Sequence, residues 1–401
     1  MLQDSAFSSC LWKGFSVDSH HQDGDWLHVY LAPLPKQPLI CPHCSTPSHR
    51  VHDTACRRIR DRDLFHFKVW LHCPVRRVLC VNCGPKVQQI EWLQPGARIT
   101  TRLQVYAESL CTLLPIKHVA QLLHLSWHTV KEIDKRRLQR EVQPPDWTSI
   151  TRLVMDEFAL FKGHRYATVV ADADTHRVLW VGEGRSRAQI RPFFEQLGKH
   201  CQQIEAVAMD MNTAFDLEVQ QHCPNAVVVY DLFHVIAKYG REVIDRVRVD
   251  EANRLRTDKP QRRCVKRARW LLLKNRDNLS EQQQANLDEL LSANRNLMVV
   301  YLLKAQLKEL WYCPSVYEAK RMWEQWWQQV QESGIKPLLD FARKLKPYLH
   351  GIVASAIHPL HTSRLEGINN KIKVIKRMAY GYRDTEYFFL KIKAAFPGNR
   401  R

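Results

Sequence analysis

Apolar residues recur along this chain in distinct rhythms, and each change of rhythm marks a change of architecture. Phe65-His66-Phe67-Lys68-Val69-Trp70-Leu71 alternates with the period of a strand, and Val75-Arg76-Arg77-Val78-Leu79 leads on toward Cys80. Together they predict a β-hairpin. After Pro95-Gly96 the spacing becomes helical. Val119, Leu122 and Leu123 form one apolar face, and Ser126 is placed to cap a second helix that turns Val130 and Ile133 inward. The short Leu125-Ser126 turn makes this either a helix-turn-helix or an ordinary helical hairpin. A connector, Gln143-Pro144-Pro145-Asp146, ends the segment.

Beyond the connector the pattern predicts strands at 150–155, 166–171 and 177–181, a helix at 187–198, a strand at 206–209, a helix at 213–222 and a strand at 226–230. Three strands, helix, strand, helix, strand is the order of a ribonuclease-H-like domain with an antiparallel edge on a parallel core. From about 238 to 360 strand signals vanish, and amphipathic helices form an all-α insertion. Within it Trp323, Trp326, Trp327 and Val330 repeat at i, i+3, i+4, i+7, the spacing of a core stripe. Arg262, Arg263, Lys266, Arg267 and Arg269 give another helix a basic face.

Three carboxylates stand out against this pattern. Asp156 and Asp210 each end an apolar run, where a strand would deliver them to the sheet edge, and Glu366 follows the insertion on a basic helix. Hard oxygen ligands of this kind suit Mg²⁺. Two ions about 3.5–4 Å apart can activate an attacking oxygen and stabilise a leaving one in phosphodiester chemistry. Glu157 points to the opposite strand face, and Asp172 and Asp174 read as turn residues. Asp231 follows the fifth strand and either caps the next helix or, with His234, supports the site.

Charge supplies the substrate class. Lys and Arg number 60 against 41 Asp and Glu, a formal charge of +19, the footprint of a nucleic-acid binder. Arg57, Arg58, Arg76 and Arg77 in the hairpin region, Trp127, His128, Lys131 and Lys135 on the second helix, and Lys371, Lys373, Lys376 and Arg377 beyond Glu366 are the candidate DNA contacts. No run approaches the roughly 18 apolar residues of a membrane span, and the start lacks a signal-peptide pattern. The 12 cysteines are therefore expected to be reduced. Cys41-Pro42-His43-Cys44 and Cys80-Val81-Asn82-Cys83 form two knuckles flanking the hairpin, the arrangement of a structural zinc ribbon.

The ordered set of knuckles, helix-turn-helix, Asp156-Glu157-Phe158, Asp210-Met211, Asp231-Leu232-Phe233-His234 and Glu366-Gly367-Ile368-Asn369-Asn370 resembles the bacterial insertion-sequence transposases of the ISL-three family, as does the tail from Gly381 to Ile392. The resemblance implies a multidomain α/β chain: an N-terminal segment 1–38, a zinc ribbon 39–92, a helix-turn-helix 93–142 and a ribonuclease-H-like catalytic domain 147–401. It implies a catalytic triad of Asp156, Asp210 and Glu366 holding two Mg²⁺ (or Mn²⁺), with Asp231, His234 and Asn370 as secondary site residues and a structural Zn²⁺. Its partners would be double-stranded DNA, as terminal inverted repeats and target, and a second copy of the chain. It would act in the bacterial cytoplasm at the nucleoid. The rival readings are a non-catalytic DNA-binding regulator and a metal-dependent nuclease of the same fold.

Overall fold

The computed structural model describes residues 10–35, 39–48, 50–161, 163, 165–360 and 363–399, with the side chains of 363–366 outside the description. Two compact units divide between Arg140 and Glu141.

In the first unit, β1 (Phe15–Asp23) and β2 (Trp26–Pro33) form an antiparallel hairpin. The short pair β3 (Leu39–Ile40) and β4 (Pro47–Ser48) follows, then the long antiparallel pair β5 (Val51–Arg60) and β6 (Lys68–Cys80), and finally β7 (Gly84–Val87). The sheet order is β1-β2-β6-β5, with β7 also on β6. The strands of residues 15–33 thus belong to the same sheet as the ribbon. β2 runs parallel to β6, and its alternating Leu27, Val29 and Leu31 share one buried face with Ile59, Val69, Leu71, Cys73 and Val75. The strands at 65–71 and 75–79 merge into the single β6, and Phe65 to Phe67 belong to the turn before it.

The helices Thr101–Leu113, Ile116–Leu123 and Trp127–Glu141 complete this unit. Val119, Ala120, Leu123, Val130 and Ile133 form their core, while Leu122 is exposed. The helix Ile116–Leu123 ends at His124 in the left-handed conformation (φ 51°), the role a glycine usually fills at such a turn. Ser126 Oγ accepts from the Thr129 N–H at 3.1 Å, the cap that the sequence predicts.

Ribbon and helices are bolted together by two buried charges. Asp61 accepts from Trp12 Nε1 (2.9 Å), Thr100 Oγ1 (2.6 Å), Arg102 Nε (2.7 Å) and the Arg62 N–H (2.8 Å). Arg60 donates to the carbonyls of Val69 and Leu123 and pairs with Asp63. A buried ion is tolerated only when it is paired and hydrogen-bonded, as both are here.

The second unit is built on a sheet of order β10-β9-β8-β11-β12: β8 (Arg152–Phe161), β9 (Arg165–Asp172), β10 (Val178–Glu183), β11 (Ala206–Met209) and β12 (Val227–Tyr230). β8, β11 and β12 are parallel, and β9 and β10 antiparallel. Leu153, Met155, Val207, Met209 and Tyr230 face one side with the helices Arg187–Leu197 and Thr213–His222 and the insertion. Val154, Phe158, Ala208 and Val229 face the other, beneath the helices Ser363–Met378 and Thr385–Ala395 through Ile368, Ile372, Phe388 and Ile392. This is the predicted ribonuclease-H-like order. Glu218, fully buried, accepts from Arg187 Nε (2.7 Å) and Arg191 Nη2 (3.0 Å), tying the two helices on the first side together. Those guanidinium groups hold its carboxyl at about 2.

Between His234 and Ser363 every described regular element is helical. Trp323, Trp326 and Val330 are buried in the main core with Trp327 packed against it, so the tryptophan stripe is structural. Trp326 Nε1 donates to the Leu303 carbonyl at 2.9 Å.

Candidate active site and metal centres

β8 does not stop at Asp156, as the apolar run suggests, but continues to Phe161 against β9. What stops is its other neighbour. β11 pairs Ala206, Val207 and Ala208 with Arg152, Leu153 and Val154, so continuing the register by two residues brings Asp210 level with Asp156. On the far side Met209 pairs with Tyr230, and one further step brings Asp231 level with Asp210. Asp156, Asp210 and Asp231 therefore form one row where the parallel strands β11 and β12 end, the crevice in which open α/β sheets bind ligands.

Asp231 caps the helix Leu232–Tyr239, accepting from the Phe233 N–H at 3.3 Å, and one turn later His234 turns back to the row. Its Nδ1 pairs with Asp210 Oδ1 and lies 3.2 Å from Asp231 Oδ2. Burial disfavours the charged imidazole, but hydrogen bonding to the two aspartates outweighs this and raises its pKa to about 10. Asp231 is thus the helix cap, with its second oxygen beside His234. Burial pushes the Asp156 carboxyl up to about 6, and the charge of Asp210 adds to this; the Glu157 N–H, His234 and Asn369 act in the opposite sense. Glu157 lies on the other strand face and pairs with Arg185 at 2.8 Å.

Asn369, not Asn370, reaches this site. Its Nδ2 donates to Asp156 Oδ2 at 2.6 Å, whereas Asn370 is exposed and accepts from Lys373 Nζ at 3.4 Å. Ile368 and Ile372 press the helix Ser363–Met378 onto the Asp156 face of the sheet, and consecutive helical residues point about 100° apart, so only one of the two asparagines can face inward. The Asn-Asn pair signals that an amide is near; the flanking isoleucines are the clue to which one. Glu366 lies on this helix one turn before Asn369, and its side chain is outside the described residues.

The donor set fits a hard divalent cation. Ligand atoms of Asp210, Asp231 and His234 lie within 4.8 Å of one another. With Asp156 beside them, three carboxylates face one site in the described part of the row. A cation there would relieve the repulsion that burial sharpens.

Cys41, Cys44, Cys80 and Cys83 meet in a second cluster, their sulfurs within 4.8 Å of one another. Each knuckle is the turn between antiparallel strands, β3 to β4 and β6 to β7, so the sheet sets the distance between the pairs. Ser48 Oγ donates to the Leu79 carbonyl at 3.0 Å, locking the knuckles together. Thr46 hydrogen-bonds Cys44 and lowers its thiol pKa, favouring a thiolate there, while the hydrogen bond with Cys44 raises that of Cys83. Cys56 is exposed and Cys73 lies in the core, both outside the cluster. Four such thiols form a closed tetrahedral set suited to zinc.

The candidate DNA contacts divide. Arg58 is exposed, with its guanidinium 4.7 Å from the Trp70 ring centre. Trp127 and His128 are exposed at the start of the second helix of the pair, while Lys131 and Lys135 are half-buried along it. Lys373 and Arg377 are exposed. Several others have structural roles. Arg57 donates to the Ala97 carbonyl (2.6 Å), Arg76 to Gln88 Oε1 (2.9 Å) and Arg77 to Asp53 (2.8 Å). Lys371 donates to the Ala395 carbonyl (2.9 Å) and Lys376 to the Ala159 carbonyl of β8 (3.0 Å). Sequence gives the charge of these residues, not the carbonyls that folding brings to them.

Three family models match in the order of these parts: the zinc finger of transposases of the IS204/IS1001/IS1096/IS1165 group over residues 37–83, the helix-turn-helix domain of ISL3-family transposases over 88–138, and the ISL3 transposase domain over 153–392. The chain is 53% identical over 395 residues to the transposase for insertion sequence element IS1001 of Bordetella parapertussis, covering 97% of each. It is 26% identical to the transposase for IS1557 of Mycobacterium tuberculosis, covering 94% of this chain and 90% of the relative. With its zinc ribbon, helix-turn-helix and carboxylate-bearing core in that order, this chain belongs to the ISL3 family of DNA transposases.

Proposed function

We propose that Asp156, Asp210 and Glu366 are the catalytic carboxylates of this transposase and hold two Mg²⁺ (or Mn²⁺) ions during cleavage and strand transfer at the terminal inverted repeats of its element. The observation that carries the reading is the level row of Asp156 and Asp210 at the open end of the parallel strands, with the helix bearing Glu366 packed across the same face. When bound, the ions would activate the attacking oxygen and stabilise the leaving 3′-oxygen. Asn369 donates to Asp156 Oδ2 and the Glu157 N–H to Oδ1, which together fix the rotamer of this carboxylate. His234 spans Asp210 and Asp231 and keeps the two carboxylates side by side. Residues 1–142 recognise the DNA ends, through the exposed Trp127 and His128 and the arginine-bearing ribbon, and the ribbon is stabilised by zinc. Two copies act together on the paired ends, in the bacterial cytoplasm at the nucleoid.

The test is cleavage and joining of duplexes carrying the inverted repeats, in Mg²⁺, by the wild type and by Glu366→Gln. The variant should bind the ends normally while cutting and joining fall by orders of magnitude. Glu318→Gln and Glu386→Gln, acidic positions on other helices, should remain active. A fully active Glu366→Gln sinks the triad assignment; cutting without joining by the wild type would favour the nuclease reading.

A further inference from the structure

The stretch 254–274 holds nine Lys and Arg residues and one acid, Asp258. Asp258 is engaged as the cap of the helix Lys259–Arg267, accepting from the Gln261 N–H at 3.0 Å. The helix packs on the insertion through one side only: Val265 and Ala268, with Leu272 in the next helix, are buried in the main core. On the side opposite Val265, helical spacing places Lys259, Arg263, Arg267 and Trp270, with Lys266 beside them, and all five are exposed. On the preceding helix Asp245 pairs with Arg248 (2.7 Å) and Arg269 (3.4 Å), and Glu251 with Arg254 (2.8 Å). Among the described residues none of Lys259, Arg263, Lys266 and Arg267 has an ion-pair partner. Trp270 is 65% exposed at the end of this row, with the Arg269 guanidinium 5.5 Å from its ring centre.

An ordinary solvated helix face alternates its charges or pairs them, whereas this one gathers unpaired cations of one sign beside an exposed tryptophan. We propose that this face of the insertion is a second DNA-docking surface, separate from the helix-turn-helix, which grips the phosphate backbone of duplex DNA lying outside the terminal repeat. The four cations neutralise phosphates without reading sequence, and Trp270 packs against the sugar edge or an unstacked base. This surface rests on the proposed function only in taking duplex DNA as the substrate, and its readout is binding rather than cleavage.

The experiment compares full-length wild type with the triple variant Arg263→Gln/Lys266→Gln/Arg267→Gln. Three duplexes are used: the repeat alone, the repeat extended by its donor flank, and an unrelated sequence of equal length. Because the three side chains are exposed, the melting temperature should be unchanged, which separates docking from folding. Binding to the repeat alone should be kept. On at least one of the other duplexes affinity should fall more than tenfold at moderate salt, and the slope of log K against log salt should flatten by roughly 3, about 0.9 for each phosphate no longer neutralised. Loss on the flank-extended duplex alone assigns donor DNA, and loss on the unrelated duplex assigns target DNA. Trp270→Ala should weaken the same duplex about tenfold without changing the slope, as stacking is not ionic. Unchanged affinity and slope for the triple variant on all three duplexes would overturn the proposal. If the wild type binds these duplexes as described but never cuts the ends, the docking surface stands and the catalytic reading falls.

Discussion

The cysteine cluster and the carboxylate row are both places where converging side chains could hold an ion, yet they are assembled on opposite principles. In the ribbon each ligand pair is fixed within four residues by a turn, and one strand pair spans the distance between knuckles. In the core no two carboxylates are local. Asp156, Asp210 and Asp231 become neighbours only because β8, β11 and β12 align in register, and Asn369 joins them only because a helix beyond the insertion returns to the same face. The first site can be damaged by one thiol and the rest of the chain spared. The second depends on the whole sheet, so its outer supports should matter nearly as much as its ligands.

The largest effect that would sharpen this contrast is at the row itself. Asp210→Asn keeps shape and removes a charge, and cleavage of end duplexes should fall by at least about 10²–10³-fold, the scale of losing one preorganised charge-stabilising group, while end binding and zinc content stay normal. Cys41→Ser should do the reverse: the metal measured by elemental analysis is lost and end binding drops at least tenfold, while circular dichroism shows the helical content of the core retained. A variant that loses both properties together would mean that the two sites are not independent.

Smaller effects test the supports. Asn369→Ala should lower cleavage by about 10–100-fold, the range for residues that orient a metal ligand, with Asn370→Ala close to wild type. The opposite ranking would return the role to Asn370. Glu218→Gln, far from any reacting atom, should cost about 1–3 kcal/mol in a urea melt near neutral pH, a figure reduced because both arginines are partly exposed. The sign follows from a folded carboxyl held at about 2 against an ordinary 4.5. Its contribution is full above the ordinary value and is lost as pH falls from there toward 2, so the gap between wild type and variant should close over that window. A gap that widens on acidification would contradict the ion-pair account.

The same asymmetry explains what is legible in the sequence. Local signals read directly: the knuckles, the Ser126 cap, the strand and helix order of the core, and the tryptophan stripe that proves to be packing. What escapes depends on partners distant in sequence. The hairpin 15–33 carries an alternating pattern, but nothing local says that β2 will lie parallel to β6. Arg57 and Arg76 look like phosphate contacts until folding brings the Ala97 carbonyl and Gln88 Oε1 to them. The apolar run predicts Asp156 at a strand end, and the structure instead ends the pairing with the neighbouring strand β11 at Val154, two residues before Asp156. The helix of Glu366 carries two adjacent asparagines, and only the packing of Ile368 and Ile372 decides between them.

The central claim, that the carboxylate row holds catalytic metal, is tested most directly by a change of metal preference. Asp156→Cys places a soft thiolate where a hard oxygen stood. Purified protein with end duplex should then be inactive in Mg²⁺ and recover cleavage in Mn²⁺ or Cd²⁺, ions that accept sulfur more readily. The same substitution at Asp174, a turn residue, should leave the metal preference unchanged. Rescue confined to Asp156→Cys would establish direct coordination at this position. Full activity of Asp156→Cys in Mg²⁺ would contradict the account.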